Sequence, residues 1–207
     1  MAIDVPPVFT IGHSNHSINR FVELLRLHGV TAVADVRSAP FSRYNPQFNR
    51  DALAESLHDG GIAYVFLGQS LGARSDDPAV YENGRVRYRK LAATPLFHSG
   101  IERVKQGARK HRIALMCAEK DPLHCHRTLL VSRALEHDLV AVSHILADGG
   151  IETQHAAMRR LLGEVGASAH DMFDSEDALI EKACMKREED VAYQDEHAMP
   201  EADEVTH

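Results

Sequence analysis

The segment from Leu115 to Arg127, LMCAEKDPLHCHR, concentrates side chains that can do chemistry. Directly after an apolar run it holds two thiols, two imidazoles, two carboxylates and an arginine. Pro122 interrupts the chain, and a helix is predicted to begin near Cys125. A thiol at a helix start has its thiolate form favoured, because the helix dipole and the free backbone N–H groups stabilise negative charge. The segment is therefore the first candidate for a functional site.

Two interpretations use the thiols. In a metal site, both thiols would bind zinc or iron together with one histidine. The candidate ligands are Cys117, Cys125, His126, His124 and His13. The spacing is not that of a standard zinc knuckle, and we expect the adjacent Cys125 and His126 to have difficulty reaching one ion. In a nucleophile site, Cys125 would attack the substrate with help from His126 or His13, although the Cys-x5-Arg loop of cysteine phosphatases is absent.

A third interpretation uses the carboxylate. Glu119 would act as acid, base or nucleophile, while Arg37 and Arg127 hold the anionic part of the ligand. Cys117 would then pack as a small apolar strand residue. The residue types alone leave these three interpretations open.

A second group of candidates belongs to the loop from Arg37 to Arg50, RSAPFSRYNPQFNR, and to the strand before it. Strand alternation places Asp35 and Arg37 on one side, as a catalytic pair or as a buried ion pair. Prolines stiffen the loop, and its guanidinium and aromatic groups suit a phosphorylated or nucleotide-like ligand. The predicted ligand-binding residues are His13, Ser14, Arg37, Ser38, Arg43, Gln47, Phe48 and Arg127.

A basic run, GRVRYRKL from Gly84 to Leu91, is a weaker candidate for contact with a phosphate backbone. The sequence has no P-loop and no Gly-x-Gly-x-x-Gly, which excludes two common phosphate-binding fingerprints. The predicted partners are an anionic small molecule or a nucleic acid, and no membrane.

Five apolar runs separated by helical patterns must position these residues. The predicted strands are VFTIG, VTAVADV, IAYVFLG, RIALMCAE and LVAVSHIL, and a last helix is predicted from about Ile151 to Leu162. Runs such as IALM are continuous rather than alternating, which indicates a sheet covered on both faces. We therefore predict a three-layer α/β fold, with a mostly parallel five-stranded sheet and helices on both faces. Ligands bind such sheets beyond the carboxyl ends of the strands, where the candidate residues fall.

The composition divides the chain at Gly166. With 207 residues, 44% of them hydrophobic, the chain can form one good core, and residues 1–166 are predicted to be a single domain. Residues 167–207 contain 13 acidic and three basic residues, a net charge of -10, and are predicted to be a loosely ordered acidic tail. No apolar run is long enough for a bilayer, no signal peptide is recognisable, and three cysteines suggest reduced thiols, so a cytoplasmic location is expected.

The segments TIGHSNHS, ADVRSAPFSRYNPQFN, YVFLGQSLGAR and LMCAEKDPLHCHR together resemble the domain-of-unknown-function family 488, a group of small, mostly bacterial cytosolic proteins. The resemblance runs from about Phe9 to Leu146 and leaves the acidic tail outside. It implies a domain and a set of positions without a reaction. Those positions are His13, Ser14, Asp35, Arg37, Ser38, Pro40, Arg43, Gln47, Phe48, Cys117, Glu119, Cys125, His126 and Arg127.

These observations predict an enzyme that acts on a nucleotide, a nucleic acid or another phosphorylated substrate. The predicted catalytic residues are Glu119, Cys125, His126 and Asp35, and the candidate metal ligands are Cys117, Cys125 and His126. The alternatives are a non-catalytic nucleic-acid-binding module and a Cys/His metal-binding protein.

Overall fold

A six-stranded sheet forms the centre of the computed structural model, which describes residues 5–166 and 175–195. Its strands are β1 (Val8–Gly12), β2 (Ala32–Asp35), β3 (Ala63–Phe66), β6 (Ile113–Cys117), β7 (Val142–Ile145) and β8 (Ile151–Thr153). A separate hairpin contains β4 (Tyr81–Glu82) and β5 (Arg85–Val86). The order in the sheet is β3-β2-β6-β1-β7-β8, and every pairing except β7 with β8 is parallel.

Helices cover both faces of the sheet, as predicted. They are α1 (Ile18–Leu27), α2 (Arg50–Asp59), α3 (Gly68–Leu71), α4 (Tyr88–Ala92), α5 (Pro95–Ala108), α6 (Arg133–His137), α7 (Gln154–Glu164) and α8 (Glu176–Val191). Helices α1 and α2 bury leucines and Phe21 against Ile11, Val33 and Met116 on one face. Helices α5, α6 and α7 pack against Leu115 and its neighbours on the other. The three-layer α/β prediction is therefore confirmed.

The predicted strand number is corrected from five to six. Residues Ile151–Thr153, predicted as the start of the last helix, form β8 and pair with β7 in antiparallel orientation. The turn before them uses Gly149 at φ 98°, a conformation that glycine adopts without strain. Thr153 caps α7 by accepting a hydrogen bond from the Ala156 N–H, so the helix begins at Gln154.

The fourth predicted helix starts as a wide π-helical turn, from Arg127 to Ser132, before α6 continues it. Ser132 Oγ donates to the Arg127 carbonyl at 2.7 Å and so stabilises the wide turn. All six residues of the turn are buried. This geometry places the start of the helix directly behind the cysteine segment.

Part of the acidic segment packs on the domain. Ser175 caps α8, which buries Leu179, Ala183, Cys184 and Arg187. The Cys184 Sγ lies 3.6 Å from the sulfur of Met158 on α7. The division at Gly166 stays a prediction. Loose order is predicted for residues 167–207, of which 167–174 and 196–207 lie outside the described residues.

None of the helices that the structure describes is both long enough and apolar enough to cross a membrane.

His144, near the carboxyl end of β7, is fully buried in a network of hydrogen bonds. Thr10 Oγ1 lies 2.8 Å from its Nδ1, and Gln154 Oε1 lies 2.8 Å from its Nε2. A neutral ring that accepts from Thr10 and donates to Gln154 satisfies both bonds. Burial, followed by the charge of Arg127, lowers the pKa of His144 to about 4.

We expect this histidine to make the fold less stable in acid. Because the folded pKa lies below the ordinary value of 6.5, the unfolded chain binds more protons between these values. The free energy of unfolding should therefore fall as pH decreases from 6.5 to 4, by about 3 kcal/mol from this residue. Urea denaturation across this range should show a shallower pH dependence for His144→Gln. The exposed His111→Gln serves as a control, and an unchanged slope for His144→Gln would contradict the prediction.

Candidate functional site

Two cavities meet at the carboxyl edge of the sheet. The first, of about 280 Å³, is lined by residues that follow β2 and β6 and by the chain that leaves α8. The second, of about 550 Å³, is lined by residues that follow β1 and by the loop after β2. Arg37, Ala39, Ala118 and Glu119 line both cavities, so these residues form the junction.

The thiols and one imidazole converge in the wall of the first cavity. His126 Nδ1 lies 3.6 Å from Cys117 Sγ and 3.9 Å from Cys125 Sγ. His126 Nε2 donates to the Val36 carbonyl at 3.0 Å, which turns Nδ1 toward the thiols. All three ligand atoms lie within 4.8 Å of one another.

This convergence corrects the expectation that the neighbours Cys125 and His126 have difficulty reaching one ion. Cys125 has an extended backbone, with φ -144° and ψ 139°, whereas His126 is helical, with φ -60° and ψ -24°. The chain therefore turns sharply between the two residues. That turn brings both side chains to the same side.

Glu119 occupies the junction of the cavities beside this cluster. Its Oε2 lies 3.0 Å from Cys125 Sγ. The residue is exposed, but its carboxyl group has lost part of its hydration. This desolvation and the negative charge of Cys125 raise the pKa of Glu119.

The two thiols of the cluster have opposite electrostatic surroundings. Burial raises the pKa of Cys125, but the hydrogen bond from Cys117, the charge of Arg127 and the contact with His126 lower it well below its usual value. The same hydrogen bond, followed by burial, raises the pKa of Cys117. Burial opposes the charge on His126, yet its contacts with Cys125 and Glu119 raise its pKa. Cys125 is therefore the more readily ionised of the two thiols.

Arg127 lies under the cysteine segment and is almost completely buried. Its Nη1 donates to the Glu119 carbonyl at 2.7 Å, and its Nη2 donates to the Lys120 carbonyl at 3.3 Å. Its backbone N–H points to Cys125 Sγ at 3.5 Å. These contacts favour a role in holding the segment and balancing the thiolate over direct contact with a ligand.

Asp35 and Arg37 form a buried ion pair. The Arg37 guanidinium donates to both Asp35 oxygens, at 2.9 and 2.6 Å, and the Tyr64 hydroxyl donates to Oδ2 at 2.9 Å. Asp35 has no exposed surface, whereas Arg37 reaches both cavities. The geometry favours Asp35 as a positioning residue for Arg37, and its proposed exchange of protons with substrate stays a prediction.

His13 and Phe48 pack next to the Arg37 guanidinium. The two rings stack with centroids 4.3 Å apart, and Phe48 is buried, so it packs in the core rather than presenting a face to a ligand. His13 Nε2 lies 3.3 Å from Arg37 Nη1, and its Nδ1 lies 2.9 Å from the Ser14 carbonyl. Burial lowers the pKa of His13 to about 4, which keeps the ring neutral.

Of the remaining predicted residues, Ser38 lines the first cavity and Ser14 the second, whereas Gln47 is in neither described lining. Ser38 Oγ accepts from the Arg74 backbone N–H at 3.0 Å, and Gln47 Nε2 donates to the His16 carbonyl at 3.1 Å. Ser14 lines the second cavity with a positive φ of 47°. Among the described residues, Arg43 is exposed and stays outside both linings.

Several lining residues were missed by sequence reasoning. They are Arg74, Lys120, Phe41, Tyr88 and Tyr193. Lys120 lies inside the cysteine segment and could have been chosen for its charge. Tyr193 belongs to the acidic segment, and no local sequence signal connects it with the site. It stacks against the Arg74 guanidinium, whose carbon lies 4.2 Å from the ring centroid.

The basic run is largely paired with carboxylates. Arg85 Nη1 bonds to Glu189 Oε2 of α8 at 2.7 Å, and Arg87 pairs with the same glutamate. Lys90 Nζ lies 2.9 Å from Glu82 Oε1. A nearby groove under α8 has a volume of about 810 Å³, but the thiol and imidazole cluster lies in the wall of the first cavity.

Gly12 at the end of β1 allows the cysteine segment to approach. A Cβ at this position would lie 1.8 Å from the Glu119 carbonyl oxygen. We expect Gly12→Ala to lower the free energy of unfolding by about 1–3 kcal/mol, because backbone must move to admit the methyl group. Chemical denaturation measures this change. Gly163→Ala is the matched control, since its methyl group would meet no described atom within 4 Å and should be neutral or stabilising.

The lowered pKa of Cys125 and the raised pKa of Cys184 predict that the two cysteines are alkylated at different rates. In buffer with a chelator at pH 7, iodoacetamide should modify Cys125 at least about tenfold faster than Cys184, whose pKa is raised by burial to about 11. Peptide mass spectrometry over time measures both rates. His126→Gln should slow the reaction of Cys125 near neutral pH by removing a group that favours the thiolate. Equal rates at the two cysteines in the wild-type protein would contradict this assignment.

The family model for the domain of unknown function DUF488 matches residues 17–134, which lie within the predicted range of resemblance. No curated protein matches the chain, and no solved structure matches it. The matched region includes β2, β6, the cysteine segment and the start of the helix behind it. The chain therefore belongs to the DUF488 family of proteins that share a domain of unknown function.

Proposed function

We propose that the protein is an enzyme that acts on a nucleotide-like or otherwise phosphorylated substrate at the junction of the two cavities. The observation that carries this proposal is the 3.0 Å contact between Glu119 Oε2 and Cys125 Sγ at that junction. A carboxyl group that reaches open space beside a buried thiol and imidazole has the arrangement of an acid–base residue at a reactive centre. Glu119 therefore exchanges protons with the substrate, and Cys117, Cys125 and His126 form the reactive centre.

The charges around the cavities support an anionic substrate. Arg37 and Arg74 line the first cavity, and Arg37 and Lys120 line the second. Within the described part of the chain, Glu119 is the one carboxylate in either lining. Guanidinium and ammonium groups bind phosphate oxygens through charge-assisted hydrogen bonds. The cavity walls therefore attract a negatively charged ligand toward Glu119.

Aromatic side chains support a flat group on the same substrate. Phe41 is 66% exposed and lines the second cavity, while Tyr193 lines the first. An exposed ring such as Phe41, beside cationic groups, suits a base that stacks while its phosphate pairs with arginine or lysine. The cavities have the size of small-molecule sites, which favours a nucleotide or another small phosphorylated compound over a long polymer.

The non-catalytic nucleic-acid-binding alternative receives less support, because carboxylates of α8 and β4 neutralise much of the basic run. A backbone-binding module needs free cations along a surface. We also propose a cytoplasmic location, since all three buried cysteines are free and a reducing compartment maintains such thiols.

A binding and turnover experiment tests the proposal. Nucleotides and phosphorylated metabolites are screened by ligand-observed NMR, and each bound compound is then incubated with the protein and analysed by mass spectrometry. Lys120→Ala should weaken binding about tenfold, the loss of one charge-assisted contact. The exposed Lys110→Ala, at the opposite edge of the sheet, should leave binding unchanged.

Glu119→Gln separates catalysis from binding. This variant should bind the same compound and convert it at least about 100-fold more slowly, because it keeps the shape of the side chain but cannot exchange a proton. The exposed Glu55→Gln on α2 is the matched control and should retain full activity. Conversion by Glu119→Gln at the wild-type rate would refute the assignment of the acid–base residue.

A further inference from the structure

The separations within the thiol and imidazole cluster match those of a zinc site. In tetrahedral zinc sites the Zn–S distance is about 2.3 Å and the Zn–N distance about 2.0 Å, so a sulfur and a nitrogen ligand lie roughly 3.5 Å apart. His126 Nδ1 lies 3.6 Å from Cys117 Sγ and 3.9 Å from Cys125 Sγ. Side-chain movements of a few tenths of an ångström would bring both sulfur–nitrogen separations to this value, and the two sulfurs lie within 4.8 Å of each other.

The surroundings of the cluster provide the supporting contacts that metal ligands require. The His126 Nε2–H donates to the Val36 carbonyl, which fixes the ring with Nδ1 free to bind. The Arg127 N–H points to Cys125 Sγ, and hydrogen bonds of this kind stabilise a thiolate ligand. These contacts exist in the fold itself. The side chains are therefore organised before any ion arrives.

We propose that Cys117, Cys125 and His126 bind one zinc ion, with the fourth coordination position open to the 280 Å³ cavity and next to Glu119. Two thiolates and one imidazole form a ligand set that zinc favours over magnesium or calcium, which prefer oxygen ligands. All three ligands line this cavity. Three protein ligands with one open position are the arrangement of catalytic rather than structural zinc sites.

The reaction that we assign to the zinc site is hydrolysis, and this assignment rests on the proposed function. Zinc has no redox chemistry, and with both sulfurs bound to the metal neither thiol attacks the substrate. Water supplies the nucleophile: its oxygen forms a bond to the electrophilic atom of the substrate, and its proton passes to Glu119. The bond to the leaving group then breaks, and Glu119 delivers the proton to that group. No electrons are gained or lost overall.

The test measures metal in the full-length, tag-free protein. Elemental mass spectrometry of the purified chain should find about one zinc per chain, and titration of chelator-treated protein with zinc alone should restore it. Cys117→Ser, Cys125→Ser and His126→Gln should each weaken zinc binding at least 100-fold. Cys184→Ser and the exposed His111→Gln, which change a thiol and an imidazole outside the cluster and outside both cavity linings, should bind zinc like the wild type.

A second measurement keeps the inference testable if a ligand variant fails to fold. X-ray absorption of the wild-type zinc protein should show two sulfur ligands at about 2.3 Å. Zinc surrounded only by oxygen and nitrogen, or an affinity that the three ligand variants leave unchanged, would overturn the zinc site. The absence of zinc together with Glu119-dependent turnover would overturn this inference and leave the proposed function standing. Zinc bound as expected, with no phosphorylated compound bound or converted, would overturn the proposed function and leave the metal site standing.

Discussion

The buried Arg127 guanidinium joins the chain segments from which the candidate site is built. It binds the carbonyls of Glu119 and Lys120, while its own backbone N–H points to Cys125 Sγ. A buried cation requires compensating negative charge or dipoles, and here two carbonyls and the readily ionised Cys125 thiol supply them. The position of Glu119 and the charge of Cys125 consequently depend on the same side chain. Gly12 belongs to this constraint, because any larger residue would push the Glu119 carbonyl away from Arg127.

A second constraint works from the other side of the site. Asp35 and Tyr64 hold Arg37 in one orientation, and the stacked rings of His13 and Phe48 support it. Arg37 remains able to face both cavities because only part of its guanidinium is used by Asp35. Binding of a ligand to Arg37 would cost little side-chain entropy, because the guanidinium is already held in one orientation. The buried pair of Asp35 and Arg37 thus orients the guanidinium at the site, and its net contribution to the free energy of unfolding is expected to be small.

The sequence predicts the fold well where apolar residues form continuous runs or recur at helical spacing. The five parallel strands have continuous apolar runs, and Ser17 and Phe21 lie where a capped amphipathic helix requires them. Strand β8 was missed because its three residues are largely exposed and carry no apolar pattern. The convergence of Cys125 and His126 depends on a backbone turn between adjacent residues, which residue types do not reveal. The burial of Arg127 and the position of Tyr193 in the wall of the first cavity depend on tertiary packing, which a local sequence pattern does not reveal.

The acidic segment affects the candidate site in two physically different ways, through an ion-pairing residue of α8 and through the chain that follows this helix. Its glutamate Glu189 neutralises Arg85 and Arg87, which removes much of the positive charge of the basic run from solution. The chain that leaves the helix then places Tyr193 in the cavity wall, against the Arg74 guanidinium. Positive charge is neutralised at the hairpin, whereas Arg37, Arg74 and Lys120 line the cavities. Under the proposed function, an anionic substrate is therefore attracted to the junction at Glu119 more than to the surface of the hairpin.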